Sequence, residues 1–183
     1  MKISENQYSF VVNSPLGRLG VQTANEKIQH LDYLAGSVRL RAASGDFDHK
    51  VETALKNYFE NPAMNFNLPL ELAGTPFQQR VWQALTRIPF AGTLSYGELA
   101  ASLGSGARAV GNACRHNPVP IIVPCHRVVA AHGIGGYSGC TSGPVLDRKR
   151  WLLEHEGHFP ALKKPTVTPS NHLHPENQRN NPA

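Results

Sequence analysis

The chain has 183 residues, of which 40% are hydrophobic and 17% are charged. This length fits one or two small domains, and the apolar content is sufficient for an ordinary hydrophobic core. No apolar run approaches the roughly 18 residues of a membrane-spanning helix, and the polar opening MKISENQYSF lacks the apolar centre of a signal peptide. We therefore expect a globular cytoplasmic protein that does not enter a membrane.

The charge and the cysteine content narrow the range of possible protein classes further. Lysine and arginine number 18 against 13 acidic residues, which gives a formal net charge of +5 and a pI of about 9.3. This balance suits a polyanionic partner such as nucleic acid, although many basic proteins bind none. Cys114, Cys125 and Cys140 are an odd number without a CxxC pair. That pattern argues against a disulfide framework and a zinc knuckle, and favours free thiols in a reducing compartment.

The first part of the chain predicts a β-hairpin with a third strand. The candidate strands are YSFVV, RLGVQT and IQHLDYL, and the turn NSPLG separates the first two. Apolar residues at helical spacing follow from Val51 to Phe59, with Asp48 as the predicted N-cap and Asn61-Pro62 as the end. These elements predict a small α/β domain over residues 1–68.

Explicit helix-start signals follow from residue 70 onward. TPFQ at residues 75–78 and SYGE at residues 95–98 each form a capping box. The second of these helices is predicted to end at Gly104, and a third to span residues 107–116. A short helix, a glycine-containing turn and a second helix are typical of a helix-turn-helix, which presents its second helix to nucleic acid. An ordinary packed helix pair gives the same pattern, so both interpretations stay open here.

The stretch NPVPIIVPCHRVV, residues 117–129, places Cys125 between a proline-bounded apolar run and a His-Arg pair. The run predicts a short buried strand. Neighbouring cations or a relay to a base stabilise a thiolate, and His126 and Arg127 are such neighbours. Adjacent strand residues point to opposite faces, so His126 serves Cys125 only through a backbone bend at Pro124 or through a bridging water. A purely structural Cys-His pair is the alternative.

A glycine-rich loop, AAHGIGGYSGCTSG, precedes a predicted helix, VLDRKRWLLEHEG, that ends at Gly157. Such a loop approaches a ligand closely because glycine has no Cβ, although an ordinary surface loop has the same composition. Glu156 lies in the last turn, where a carboxylate opposes the helix macrodipole at a cost of about 0.3–1 kcal/mol. A hydrogen bond from His126 would offset this cost and orient the imidazole. An exposed surface carboxylate is the alternative.

Beyond residue 158 the chain is rich in Pro, Asn and His and has almost no apolar residues. Such a segment cannot offset the entropy of ordering, so residues 159–183 are predicted to be disordered. His172 and His174 could chelate a metal, but a solvated tail is the preferred interpretation.

Six motifs resemble, in chain order, those of the methylated-DNA–protein-cysteine methyltransferases, the O6-alkylguanine-DNA alkyltransferases. They are GTPFQQRVW, SYGELA, ARAVGNACRHNPVPI, PCHRVV, GGYSG and WLLEHEG. Together they cover residues 74–157, and several motifs at compatible spacing are far more specific than PCHR alone. The resemblance implies an α+β fold. A ribonuclease-H-like α/β domain would span residues 1–68, and a mainly helical, winged-helix-like helix-turn-helix domain residues 69–158.

The resemblance also implies DNA repair by direct damage reversal. Cys125 would take the alkyl group from O6-alkylguanine and keep it as a thioether, so each molecule would act once. A water held by His126, which Glu156 orients, would help to form the thiolate, and the phenol of Tyr96 would protonate the leaving guanine. Asn117 matches the hinge before the cysteine segment. The sequence does not rank methyl against larger alkyl groups or O4-methylthymine.

An alkylated base inside a duplex cannot reach a buried thiol, so the nucleotide must be flipped out. By resemblance, Arg108 fills the vacated stack, and its helix lies in the minor groove with little sequence preference. The implied DNA-binding residues are Tyr96, Ala107, Arg108 and Arg115. The implied lining of the guanine pocket is Tyr137, Ser138 and the backbone of Val128.

The expected partner is therefore double-stranded DNA that contains O6-alkylguanine, and the expected state is a monomer without cofactor or metal. The N-terminal part lacks the Cys/His set with which some relatives bind zinc. Two other classes of protein are alternatives to an alkyltransferase. A non-enzymatic damage-binding protein would share the fold, but such relatives replace the cysteine that is present here as Cys125. A Cys-His hydrolase would turn over repeatedly and would need hydrogen-bond donors for an oxyanion.

Overall fold

The structure is a computed structural model that describes residues 7–63 and 66–158. The predicted disordered tail, residues 159–183, lies outside the described residues, so that expectation stays a prediction. In the part of the chain that is described, no helix combines the length and apolar character needed to cross a membrane.

The N-terminal part contains the predicted hairpin and third strand. Strands β1 (Phe10–Ser14), β2 (Gly17–Ala24) and β3 (Lys27–Leu34) form an antiparallel sheet in the order β1-β2-β3. Alternate residues pack into the core because successive strand side chains point to opposite faces. The fully buried members of this face are Phe10, Leu19, Val21, Ile28 and Leu31.

Helix α1 (Asp46–Glu60) covers this sheet and buries Val51, Leu55 and Tyr58. The predicted end at Asn61 is confirmed, but the prediction of Asp48 as N-cap was wrong. Gly45 occupies the N-cap position without a side-chain cap, and Asp48 lies buried within the first helical turn. Its Oδ1 accepts a hydrogen bond of 2.6 Å from the Thr23 hydroxyl. Tertiary pairing with β2 thus decided the role of this carboxylate.

The predicted capping boxes are confirmed at both helix starts. Helix α2 (Pro76–Leu85) has Thr75 as N-cap, and helix α3 (Tyr96–Ser102) has Ser95, with reciprocal bonds to Gln78 and Glu98. Helix α4 (Ala107–Arg115) follows α3 after a turn that contains Gly104 at φ +60°. α3 and α4 pack together as the predicted helix-turn-helix pair, and α2 supports α4 through a 2.9 Å bond from Trp82 Nε1 to the Ala113 carbonyl.

The apolar run before Cys125 is buried, as predicted, but it is not a strand. Ile121 and Ile122 form a turn between Pro120 and Val123, and Ile121 adopts φ +75°. The closely spaced prolines remove the backbone N–H donors that a strand would need. Cys125–Arg127 then form one 3₁₀ turn. The chain continues as β5 (Val128–Val129), parallel to β4 (Leu94–Ser95), and helix α5 (Gly143–His155) closes the described chain.

The N-terminal half (residues 7–63) and the C-terminal half (residues 66–158) share backbone hydrogen bonds along the edge of β3. Ile28 N–H donates to Pro69 O at 3.0 Å, and Leu31 N–H donates to Pro118 O at 2.9 Å. The segment that leads to Cys125 is therefore anchored on the N-terminal sheet. The architecture is α+β, as predicted, while the division of domains at residue 68 stays a prediction.

Candidate active site

Cys125 lies at the start of the 3₁₀ turn with 4% of its surface exposed. Asn117, which follows α4, holds the surrounding backbone in place. Its Nδ2 donates to Val123 O at 2.7 Å and to Cys125 Sγ at 3.1 Å, and its Oδ1 accepts from Val119 N–H at 3.0 Å. One amide side chain thus fixes the loop that carries the thiol and also contacts the sulfur.

The backbone bends at His126, which lies in the 3₁₀ turn Cys125–Arg127. His126 is fully buried, and its Nε2 lies 2.9 Å from Glu156 Oε1. An ionised carboxylate only accepts hydrogen bonds, so Nε2 carries the proton in the neutral imidazole and the lone pair is on Nδ1. Nδ1 is buried and has no hydrogen-bond partner among the described residues. The contact with Glu156 therefore leaves Nδ1 as the basic nitrogen.

Glu156 caps α5 and is the centre of a buried polar cluster. Arg127 donates through Nε to Oε2 at 2.9 Å and through Nη2 to Oε1 at 3.0 Å, and the Tyr58 hydroxyl donates to Oε1 at 2.8 Å. Burial raises the pKa of this carboxyl, but hydrogen bonds from His126 and Arg127 outweigh burial and lower the pKa to about 2. These partners offset the unfavourable position at the helix end.

The pKa values of the thiol and the imidazole both follow from burial. Burial raises the pKa of Cys125, and hydrogen bonds from Asn117 and Tyr137 and the charge of Lys149 oppose that shift only in part. Burial lowers the pKa of His126, despite the opposing effect of Glu156. At neutral pH the resting site therefore holds a protonated thiol and a neutral imidazole. The thiol must lose its proton to a base before it can act as a nucleophile.

A cavity of about 360 Å³ opens against Cys125 on the side of α4. Seven of the predicted site residues line it: Tyr96, Ala107, Arg108, Arg115, Cys125, Tyr137 and Ser138. His126 and Glu156 are fully buried and do not line it, and Asn117 lines a neighbouring cavity instead. Val128 is not part of the lining either, and its carbonyl accepts a 2.6 Å hydrogen bond from Lys149 Nζ.

Helix α4 presents a polar face to solvent beside this cavity. Ala107, Arg108 and Arg115 are exposed, whereas Val110 and Cys114 face the core. The Arg115 side chain packs over Gly139, where a Cβ would come within 2.7 Å of Arg115 Nε. Gly139 also adopts φ +85°, a backbone conformation that favours glycine.

Sequence reasoning missed Lys149, a fully buried cation of α5. Its Nζ donates to Val128 O at 2.6 Å and to Gly136 O at 2.9 Å, and burial lowers its pKa to about 8. The Tyr96 hydroxyl donates to the same Gly136 carbonyl at 3.0 Å. A signal was present in the sequence, since Lys149 occupies the apolar helical face between Leu146 and Leu152.

Sequence reasoning also missed the structural partners Arg127 and Tyr58. Arg127 was treated as a cation beside the thiol, but its guanidinium binds Glu156 and the Ile88 carbonyl. Tyr58 lies in α1, 98 positions before Glu156. No local pattern could relate these two residues, because their contact exists only after the halves have packed.

Comparisons with known proteins agree with this geometry. Residues 76–158 match the family described as 6-O-methylguanine DNA methyltransferase, DNA binding domain. The methylated-DNA–protein-cysteine methyltransferase of Mycobacterium bovis is 42% identical over 153 residues, which cover 79% of this chain and 89% of the relative. The chain belongs to the O6-methylguanine-DNA methyltransferase family. The enzyme of Methanosarcina acetivorans is 35% identical over 157 residues, which cover 82% of this chain and 98% of the relative.

Solved structures of this family share the fold. The crystal structure of Mycobacterium tuberculosis OGT in complex with DNA has a TM-score of 0.67 and 41% identity, with coverage of 82% of this chain and 94% of that chain. The O6-methylguanine-DNA methyltransferase of Pyrococcus kodakaraensis has a TM-score of 0.57 and 31% identity, with coverage of 80% and 98%.

Membership in the methyltransferase family decides between the classes that the sequence left open. The activity is DNA repair by methyl transfer from O6-methylguanine to a cysteine of the protein, and the hydrolase alternative is set aside. Family membership does not by itself assign the acceptor or its helpers to individual residues of this chain.

Proposed function

We propose that Cys125 is the methyl acceptor and that O6-methylguanine from duplex DNA enters the cavity beside it. The observation that carries this assignment is the position of Cys125. It lines the cavity of about 360 Å³ and also precedes His126, whose basic nitrogen is set by Glu156. Cys114 and Cys140 line the same cavity but have no such base as a neighbour in the chain.

Formation of the thiolate is the first step of the proposed reaction. The Cys125 proton passes through a water to His126 Nδ1, because burial leaves the thiol protonated and the imidazole neutral. The resulting imidazolium is stabilised by Glu156, which already accepts the Nε2 hydrogen bond. Asn117 Nδ2 hydrogen-bonds the sulfur and disperses its negative charge.

In the transfer step Sγ attacks the methyl carbon, and the bond between that carbon and guanine O6 breaks. The electron pair of this bond stays on the base, which takes up a proton and leaves as guanine. Tyr96 lines the cavity and is the proposed proton donor, after its hydroxyl leaves the Gly136 carbonyl. Tyr96 then regains a proton from solvent, and the His126 imidazolium releases to solvent the proton that it took from the thiol. The product on Cys125 is a thioether that no described group of the cavity is placed to hydrolyse, so each molecule acts once.

Binding to DNA is assigned to the exposed face of α4. The flipped nucleotide leaves a gap in the base stack, and Arg108 at the mouth of the cavity fills it. Ala107 permits close approach of the backbone, and Arg115 adds positive charge beside the entrance. The helix is proposed to lie in the minor groove and to bind with little sequence preference as a monomer. The crystal structure of the Mycobacterium tuberculosis relative in complex with DNA supports the binding of DNA by this chain.

The test is a reaction with duplex DNA that carries O6-[methyl-³H]guanine, followed by peptide mass spectrometry. We expect one methyl group per molecule on the peptide that contains Cys125, with no second turnover. Label on Cys114 or Cys140 would reassign the acceptor, and binding without label would make the protein a damage-binding relative.

A further inference from the structure

Tyr33 connects the N-terminal sheet to the reactive cysteine through a second tyrosine. It lies near the end of β3, and its hydroxyl oxygen is 3.3 Å from that of Tyr137, 104 positions later. Tyr33 also lines a cavity of about 470 Å³ between the two halves, together with Asn117 and Cys125. The N-terminal half therefore extends to the immediate surroundings of the thiol.

Tyr137 is buried and lines the same cavity as Cys125. Its backbone is pinned by two 2.8 Å hydrogen bonds with Cys140, one in each direction. Both Tyr137 and Cys125 line the proposed guanine cavity, and hydrogen bonding from Tyr137 lowers the pKa of the thiol against the effect of burial. The backbone of Tyr137 is thus fixed locally, while the direction of its hydroxyl depends on the partners of that hydroxyl.

The reactive state fixes the direction of these hydrogen bonds. A thiolate only accepts, so the Tyr137 O–H must point at Cys125 Sγ during the reaction. The Tyr137 oxygen then has only acceptor capacity left, and the Tyr33 hydroxyl must donate to it. Hydrogen bonds in such a series polarise one another, so the outer member strengthens the inner one. No proton is transferred between these groups in this arrangement.

Tyr33 itself is held by α5. The guanidinium of Arg148 lies 4.6 Å from the centre of the Tyr33 ring, a cation–π contact that restrains the ring from the side of the helix. Asn117, and Lys149 next to Arg148 in the chain, also lower the pKa of the Cys125 thiol.

We propose that Tyr33 is a positioning residue for methyl transfer: its hydroxyl orients Tyr137, which in turn hydrogen-bonds the Cys125 thiolate. The proposal rests on Cys125 as the methyl acceptor. It makes the N-terminal sheet a contributor to thiol reactivity in addition to its role as a support for the fold.

The test compares Tyr33→Phe with a matched control, Tyr8→Phe. Tyr8 belongs to the same half, and its hydroxyl donates to Asp32 at 3.0 Å. Single-turnover rates on saturating methylated duplex are measured across pH. Loss of one hydrogen bond predicts a rate for Tyr33→Phe about three- to tenfold lower at neutral pH, with the profile displaced upward by about half to one pH unit. Tyr8→Phe should keep the wild-type profile, and an unchanged profile for Tyr33→Phe would overturn the proposal.

A double-mutant cycle separates positioning from general support of the fold. If Tyr33 acts through Tyr137, the double variant Tyr33→Phe/Tyr137→Phe should react within about twofold of Tyr137→Phe alone. Multiplied losses would overturn the proposal. Mass spectrometry of the wild-type product is the companion measurement. Label away from Cys125 would refute the assignment of the acceptor, whereas label on Cys125 with multiplied losses would refute only the role of Tyr33.

Discussion

Nε2 of His126 lies 2.9 Å from Oε1 of Glu156, 30 positions later in the chain. This contact joins the end of α5 to the turn that carries Cys125. It determines which imidazole nitrogen is basic, and the same carboxylate binds Arg127 and Tyr58. One side chain thus supports both the proposed chemistry and the packing of the two halves.

Glu156→Gln is expected to impair methyl transfer and stability together. The change removes the ionised acceptor of His126 and leaves the Arg127 guanidinium buried without its counter-charge. We expect a single-turnover rate at least about tenfold lower on both duplex DNA and free O6-alkylguanine, because His126 is the proposed general base in the reaction of both substrates. The shift of the Glu156 pKa from 4.5 to about 2 corresponds to a stability contribution of about 3 kcal/mol at neutral pH.

The pH dependence of stability provides the check. Folding lowers the pKa of Glu156, so its contribution is complete above about pH 4.5 and is lost as the pH falls towards 2. Denaturant unfolding of wild type and Glu156→Gln should therefore give free energies that converge between pH 4.5 and 2. A difference that stays constant over this interval would contradict the assigned pKa.

Cys125→Ser is expected to abolish methyl transfer and to leave DNA affinity nearly unchanged. A hydroxyl is a far poorer nucleophile than a thiolate, and Cys125 is only 4% exposed, so the DNA-binding face keeps its surface. Label transfer and a DNA-binding titration on the same sample measure the two effects. Label retained on the variant would place the acceptor at Cys114 or Cys140, and the Cys114→Ser and Cys140→Ser variants would then identify which.

Arg108→Ala separates the handling of DNA from the chemistry. If the side chain fills the gap left by the flipped nucleotide, its removal forfeits part of the few kcal/mol that unstacking costs. We expect transfer from duplex DNA to slow by roughly 10- to 1,000-fold. A free O6-alkylguanine base needs no flipping, so its reaction should decrease much less.

Arg80→Ala is the matched control for Arg108→Ala. Arg80 is an exposed arginine of α2 that does not line the cavity. Its replacement by alanine removes the same charge as Arg108→Ala but leaves the lining of the cavity unchanged. It should weaken DNA binding mildly, in a salt-dependent manner, and leave the saturated rate unchanged. Equal losses of Arg108→Ala on duplex and free base would refute the intercalation hypothesis.

Truncation after residue 160 tests the prediction for the tail. The composition of residues 159–183 predicts no contribution to the core, so the shortened chain should keep its transfer rate and thermal midpoint. Single-turnover kinetics and thermal unfolding measure both quantities. A large loss of either would show that the tail orders on the protein or on DNA.

Local patterns in the sequence were sufficient for most of the secondary structure. The hairpin, the capping boxes at Thr75 and Ser95 and the end of α3 near Gly104 depend on neighbours within a few positions. Sequence motifs likewise predicted the family and made Cys125 the candidate acceptor, because the chemistry requires these residue types at this spacing.

Local patterns failed where a distant partner decides. The run before Cys125 has the composition of a strand, but the prolines leave it without a ladder of donors and it packs as a turn. Asp48 has the chemistry of an N-cap, but Thr23 of β2 binds it inside the helix. For Asp48, a tertiary contact outweighed a local N-cap preference worth about 1 kcal/mol.

The sequence by itself determined most of the elements, the candidate thiol and the family of this methyltransferase. Only the tertiary structure decided which nitrogen of His126 is basic, that Lys149 and Arg127 are buried, and that Tyr33 reaches the active site. The physical reason is the same throughout. Most buried polar groups are hydrogen-bonded, and for these groups the partners lie between 13 and 104 positions away along the chain.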